Sequence, residues 1–402
     1  MAEDHGTTPG RTLLRTALRN FGAAGLAILM LGASASVASA SEATGRVYVN
    51  DNTAGENTVA AFDRHSDGSL TPLPGSPFAA GGQGTGTIIG SQGAIQVSGD
   101  GRYVIAVDAG SNQISVLRIR HDGSLTLVQG SPVGSGGIEP VSVAVHANLV
   151  YVANEGDKAT GTGSGYAGFT LNPGGHLTPL SGATVSLPGT ANPGDILFNS
   201  TGTNLIGVEV GTTDPSTFRI DSFVVGGDGR LTAAAGSPYP AQAAGPFGSE
   251  FSPADPSHLY VSNAHGGASN GSVSAFHVAS NGTVTSIGAS PFADGQTAPC
   301  WVEISHDGAY LFTVNTGSTN ISSYRIQPDG SLSYVTTTGF KSGGSVRPFD
   351  ARLDRSGADI YIVDAALNAV SAFAVSGGSL TELPGSPFAL PVGATPFGIV
   401  TI

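Results

Sequence analysis

One cysteine, one tryptophan and two methionines stand in 402 residues, and only 11% of the chain is charged. The lone thiol, Cys300, leaves no intramolecular disulfide and no Cys-rich zinc site. Lys and Arg number 16 against 29 Asp and Glu, for a net charge of −13. So sparse a set of cations gives no footprint for a phosphate backbone, and no nucleic-acid partner is expected. Low charge beside 40% apolar residues also argues against disorder, which needs the opposite balance. Past residue 40 no apolar run is long enough to span a bilayer. No sustained 3.6-residue period marks an amphipathic helix there.

Glycine is what the chain has in excess, with 60 residues, about twice the usual share. Between short apolar runs it supplies the positive φ that tight turns need. The N-terminus carries a different signal. Arg11, Arg15 and Arg19 precede an apolar stretch from Phe21 to Leu31, and Ala38-Ser39-Ala40 is an A-x-A cleavage site. Residues 1–40 are therefore expected to be a signal peptide and residues 41–402 the mature, secreted or periplasmic chain. Removing the leader takes away three Arg and two acids, which leaves the remainder slightly more acidic.

Internal repetition organises the rest. Asp67-Gly68-Ser69-Leu70 recurs as Asp122-Gly123-Ser124-Leu125, Gly174-Gly175-His176-Leu177 and Asp228-Gly229-Arg230-Leu231. Asn281-Gly282-Thr283-Val284, Asp329-Gly330-Ser331-Leu332 and Gly377-Gly378-Ser379-Leu380 complete seven copies, at a period of roughly fifty residues that marks a repeat architecture. Asp-Gly and Asn-Gly between apolar runs are strong hairpin signals. The second unit shows four strands: Ala94 to Val97, Tyr103 to Val107, Gln113 to Ile119, and one starting at Leu125, closed by Gly130-Ser131-Pro132. Four short antiparallel strands per repeat describe a propeller blade. The first mature unit begins at Arg46-Val47-Tyr48-Val49, a second strand without its inner neighbour. The C-terminal Pro396-Phe397-Gly398-Ile399-Val400 reads as an inner strand. The fold class is thus all-β, a seven-bladed propeller closed by its C-terminal strand and expected to be monomeric.

Pro140-Val141-Ser142-Val143-Ala144-Val145, Leu149-Val150-Tyr151-Val152-Ala153-Asn154, Ala298-Pro299-Cys300-Trp301-Val302 and the Gly-Ser-Pro-Phe tails resemble the seven-bladed lactonase family. That group includes bacterial 6-phosphogluconolactonase and the fungal carboxymuconate-lactonizing enzyme. The Tyr-Val-Ala-Asn strands also resemble surface-layer propeller repeats, which bind or build. In enzymatic lactonase members the resemblance implies His and Arg around the inner-strand prolines, as His-Pro-His, Pro-Arg-His and Glu-Ile-His. Here those places read Asn192-Pro193-Gly194, Pro246-Phe247-Gly248, Pro348-Phe349-Asp350 and Trp301-Val302-Glu303.

Counted from each inner-strand proline, odd offsets are largely apolar, while even offsets collect Gln96, Ser142, Asp195, Glu250, Trp301, Glu303, Asp350 and Arg352. Strand alternation puts each set on one face, so the polar set is expected to converge on the central channel. Four carboxyls crowded there would raise one another's pKa or attract a cation. The functional reading makes Glu303 and Asp350 the acid/base pair, Arg352, Asp195 and Glu250 substrate-binding groups, and Trp301 a stacking platform. No bound metal is required, although a hard cation such as Ca²⁺ would suit the oxygen ligands. The same residues equally describe a water-filled channel with inter-blade ion pairs such as Glu303–Arg352. Two functions follow: a non-catalytic propeller binding a small molecule or protein on its channel face, and an extracytoplasmic lactonase or cycloisomerase acting on a small lactone.

Overall fold

The computed structural model describes residues 42–402; the expected leader, residues 1–40, lies outside the described residues. Seven antiparallel sheets follow one another along the chain. Blade one takes its innermost strand, Ile399–Thr401, from the C-terminus, and the pairs Val47↔Thr401, Tyr48↔Val400 and Val49↔Ile399 close the ring. The remaining inner strands are Ile95–Val97, Pro140–His146, Pro193–Phe198, Pro246–Phe251, Pro299–Ile304 and Pro348–Leu353, in blades two to seven. Five blades carry an extra short strand on the third, such as Phe292–Ala293 on Val273. Each follows a Gly-Ser-Pro or Ala-Ser-Pro turn whose serine Oγ accepts a third-strand N–H in all five blades, as Ser131 does from Val116 at 2.8 Å. No helix among the described residues is long and apolar enough to cross a membrane.

In blades two to seven the second strand is buried along most of its length, as is the second half of Ala43–Asn50 in blade one, because the blades on both sides cover it. A recurring tyrosine on it ties the ring together. Tyr48, Tyr103, Tyr151, Tyr260 and Tyr361 each donate their hydroxyl to a carbonyl in the hairpin turn of the following blade, at 2.8–2.9 Å. Blade four has Ile206 there, and Ser222 Oγ makes the corresponding bond to Gly282 O at 2.7 Å. The hairpin turns are set locally: Asp67, Asp122 and Asp329 each accept the N–H and the hydroxyl of the serine two residues on.

Candidate functional site

Residues 88–93, between the last strand of blade one and the inner strand of blade two, run into the channel. Gln92 N–H donates to Gly194 O, and its Nε2 donates to Ser249 O at 2.9 Å. Gln92 Oε1 accepts Val302 N–H at 3.0 Å. Ser91 O accepts the Trp301 indole N–H at 2.8 Å. Gly93 donates to Asp350 Oδ2 at 3.1 Å, while its carbonyl accepts Val143 N–H. One short segment therefore reaches the inner strands of blades three to seven, which only the axis permits. The approach demands glycine on the facing strand: a Cβ on Gly248 would lie 2.2 Å from Gln92 Oε1.

Around this plug the proline ends of the inner strands are apolar. Phe247, Trp301, Phe349 and Phe397 form a continuous arc, with successive ring centres 5.3, 5.0 and 4.5 Å apart. Trp301 is almost wholly buried between Phe247 and Phe349, so its ring packs on protein rings. Cys300 lies beside it, buried, with its thiol pushed up to about 12 by desolvation; a thiolate nucleophile is not available there.

At the opposite, carboxyl ends of the inner strands the channel opens into a cavity of about 240 Å³. Its lining includes Gln92, Gln96, Asp195, Ser249, Glu250 and Arg352. The structure thus brings Asp195, Glu250, Glu303, Asp350 and Arg352 into one electrostatic cluster at the axis, since each carboxyl's charge acts on Arg352. The carboxyls do not simply face one another. Each reaches sideways to the next inner strand. Asp195 Oδ2 accepts the N–H and hydroxyl of Ser249, at 2.9 and 2.7 Å. Glu250 accepts from Ile304 N–H. Glu303 Oε1 accepts Leu353 N–H at 2.8 Å, and Asp350 accepts from Ile399 N–H. Four successive blade seams are bridged in this way.

Burial raises every one of these acids. Asp195 is pushed up to about 7 and Asp350 to about 6. Glu303 rises for the same reason, with Arg352 pulling against it. Glu250 is raised well above the ordinary carboxylate value by burial and the nearby Glu303 charge, with Arg352 pulling against them. Among the described residues Glu250 Oε2 and Arg352 Nε have no hydrogen-bond partner. Among the described residues no group of three or more His, Cys, Asp or Glu side chains is arranged to hold a metal ion.

The carboxyl-rich set was recognisable from strand alternation. The plug was not, because Ile88-Ile89-Gly90-Ser91-Gln92-Gly93 has no periodicity and its partners lie as far as 257 residues away.

Comparison with known proteins follows the same outline. The family described as "Lactonase, 7-bladed beta-propeller" matches residues 55–161 and 250–396. Among curated proteins none matches. Solved structures with the same fold include a Bacteroides fragilis protein provisionally taken as a 6-phosphogluconolactonase, at 16% identity and TM-score 0.70, covering 90% of this chain and 99% of that one. A Lactobacillus plantarum protein aligns at 17% identity and TM-score 0.68, covering 89% and 99%. The periplasmic gluconolactonase of Pseudomonas aeruginosa aligns at 17% identity and TM-score 0.67, again covering 89% and 99%.

Proposed function

The chain belongs to the seven-bladed β-propeller lactonase family, and from that premise we propose that it is an exported propeller that binds, without turnover, a small polyhydroxylated or carboxylated ligand of the lactone and sugar-acid class. The site is the cavity at the carboxyl ends of the inner strands. The observation that carries this reading is the use to which the channel acids are put. Glu303 and Asp350, like Asp195, have oxygens committed to backbone N–H groups of a neighbouring strand, so they serve the ring before they serve a substrate. What remains for a ligand is the Arg352 guanidinium, the Gln96 amide and the Glu250 carboxyl, whose burial favours its neutral, hydrogen-bond-donating form. Such a set suits an acceptor-rich ligand, and Arg352 supplies a planar fork for a carboxylate. Export is supported by the N-terminal pattern ending at Ala38-Ser39-Ala40 and by the periplasmic setting of the Pseudomonas aeruginosa gluconolactonase.

Lactone hydrolysis is the second reading, favoured by the family and by Glu250 beside Arg352. Here Arg352 would stabilise the oxyanion formed when water attacks the lactone carbonyl; Glu250 would protonate the departing ring oxygen as the acyl C–O bond breaks, and would be reprotonated from solvent, which takes up the attacking water's proton. Titration calorimetry with aldonic acids, and pH-stat measurement with their lactones, separates the two. Binding that is lost in Arg352→Met, with hydrolysis no faster than the spontaneous rate, supports the first reading. Saturable hydrolysis abolished by Glu250→Gln establishes the second. Absence of any saturable binding rejects both. N-terminal sequencing of protein recovered outside the cytoplasm tests the start at Ser41.

A further inference from the structure

Positive charge is scarce in this chain and unevenly placed. At the outer rim, in the seam between blades two and three, a polar cavity of about 210 Å³ is lined by Arg118, Arg120, Thr126, Gln129 and His176. Arg118 and Arg120 are two residues apart at the end of a third strand, so they project from the same face. Both are held in position. The Arg118 guanidinium lies 4.8 Å from the centre of the Tyr103 ring and donates to Gly174 O at 3.2 Å. Arg120 Nε donates to Thr126 Oγ1 at 3.0 Å. Among the described residues neither forms an ion pair. The nearby Asp122 has its Oδ1 engaged by Ser124. Among the described residues, Arg118 Nε and Nη1 and both Nη groups of Arg120 have no acceptor.

The repeat supplies an internal control. By strand register, the places of Arg118 and Arg120 are taken by Asp63 and His65 in blade one and by Arg325 and Gln327 in blade six. No other blade has Arg or Lys at both. Building a blade therefore does not require two guanidinium groups here, and an acidic chain gains no solubility from them.

We propose that this seam binds a tetrahedral oxyanion, carried as a phosphate or sulfate monoester. Two forks with parallel N–H groups match the oxygens of such an anion. Because Arg118 is held by the Tyr103 ring and Gly174 O, and Arg120 is oriented by Thr126, less side-chain freedom is lost on binding. His176, from the following blade's hairpin turn, borders the same cavity.

The test uses the full chain, titrated separately with inorganic phosphate and inorganic sulfate at constant ionic strength and followed by calorimetry and amide chemical shifts. Saturable binding of at least one anion is expected, weakened tenfold or more in Arg118→Gln/Arg120→Gln. The tighter of the two arms identifies the ester class. Arg120→Lys keeps the charge but loses the fork, and is expected to weaken binding several-fold with the thermal midpoint unchanged. A linear, non-saturating response to both anions overturns the proposal, as does equal affinity in Arg120→Lys and the parent chain.

Discussion

Arg352 Nη1 stands 3.2 Å from Glu303 Oε2, joining the inner strands of blades six and seven at the wall of the channel. Glu303 uses its other oxygen on Leu353 N–H, so a single side chain satisfies a charge and a backbone donor of the same neighbouring strand. Removing one partner of a buried pair strands the other. Glu303→Ala is expected to lower stability by about 3–5 kcal/mol, read as the shift in the urea midpoint. Glu303→Gln should cost less, because its amide oxygen can still accept from Leu353.

The channel and strand-end acids give the stability curve an unusual sign. Asp51 and Asp195 are pushed up to about 7, and Asp108 and Asp350 to about 6, chiefly by burial. Between about pH 4 and pH 7 the folded chain thus keeps protons that the unfolded chain has released, and stability falls as pH rises through that window. The turn residues Asp67, Asp122 and Asp329 act in the opposite sense. Hydrogen bonds from Ser69, Ser124 and Ser331 lower them, so their contribution is lost as pH drops through their folded values. Thermal melts from pH 3 to 8 should peak near pH 4–5 (about where the two trends cross). Asp195→Asn should flatten the neutral side of the curve; an unchanged slope there would remove Asp195 from the explanation.

Each tyrosine that reaches the next blade's turn is a separable tie. Tyr151 is fully buried and donates to Gly229 O at 2.9 Å. Tyr151→Phe keeps the ring and deletes one hydrogen bond, for an expected loss of roughly 0.5–1.5 kcal/mol in denaturant unfolding. A second substitution, Tyr361→Phe, is in a seam that shares no partner with the first, so the two losses should add.

The C-terminal strand can be deleted. Phe397, Ile399 and Val400 are buried, and Ile399–Thr401 supplies the inner strand of blade one. A chain ending at Thr395 exposes the edge of Ala43–Asn50, which is a template for pairing with another copy. Such a chain is expected to lose cooperative unfolding and to aggregate in light scattering. A monomeric truncation with the parent midpoint would show that closure contributes nothing to stability.

The parts legible in the sequence are those set by local chemistry. An Asp-Gly-Ser turn fixes a hairpin through contacts within four residues, and alternation placed Asp195, Glu250, Glu303, Asp350 and Arg352 in one cluster. Their targets were hidden, because a backbone N–H such as that of Leu353 or Ser249 carries no residue-specific signature. Trp301 shows the limit of counting along a strand. It stands two residues past its proline, as Asp195 and Asp350 do, yet its indole donates to Ser91 O and packs between Phe247 and Phe349 instead of joining the carboxyls. The Arg118–Arg120 seam also escaped, since two arginines on an exposed strand end acquire meaning only once the other blades are superposed on them.

Segment 88–93 turns a tube into a well. Gln92 and Ser91, bonded to the strands around them, stand across the axis at the floor of the cavity. A ligand in the cavity is thus held against the plug, beneath a wall that includes Ser200, Ser252 and Pro253.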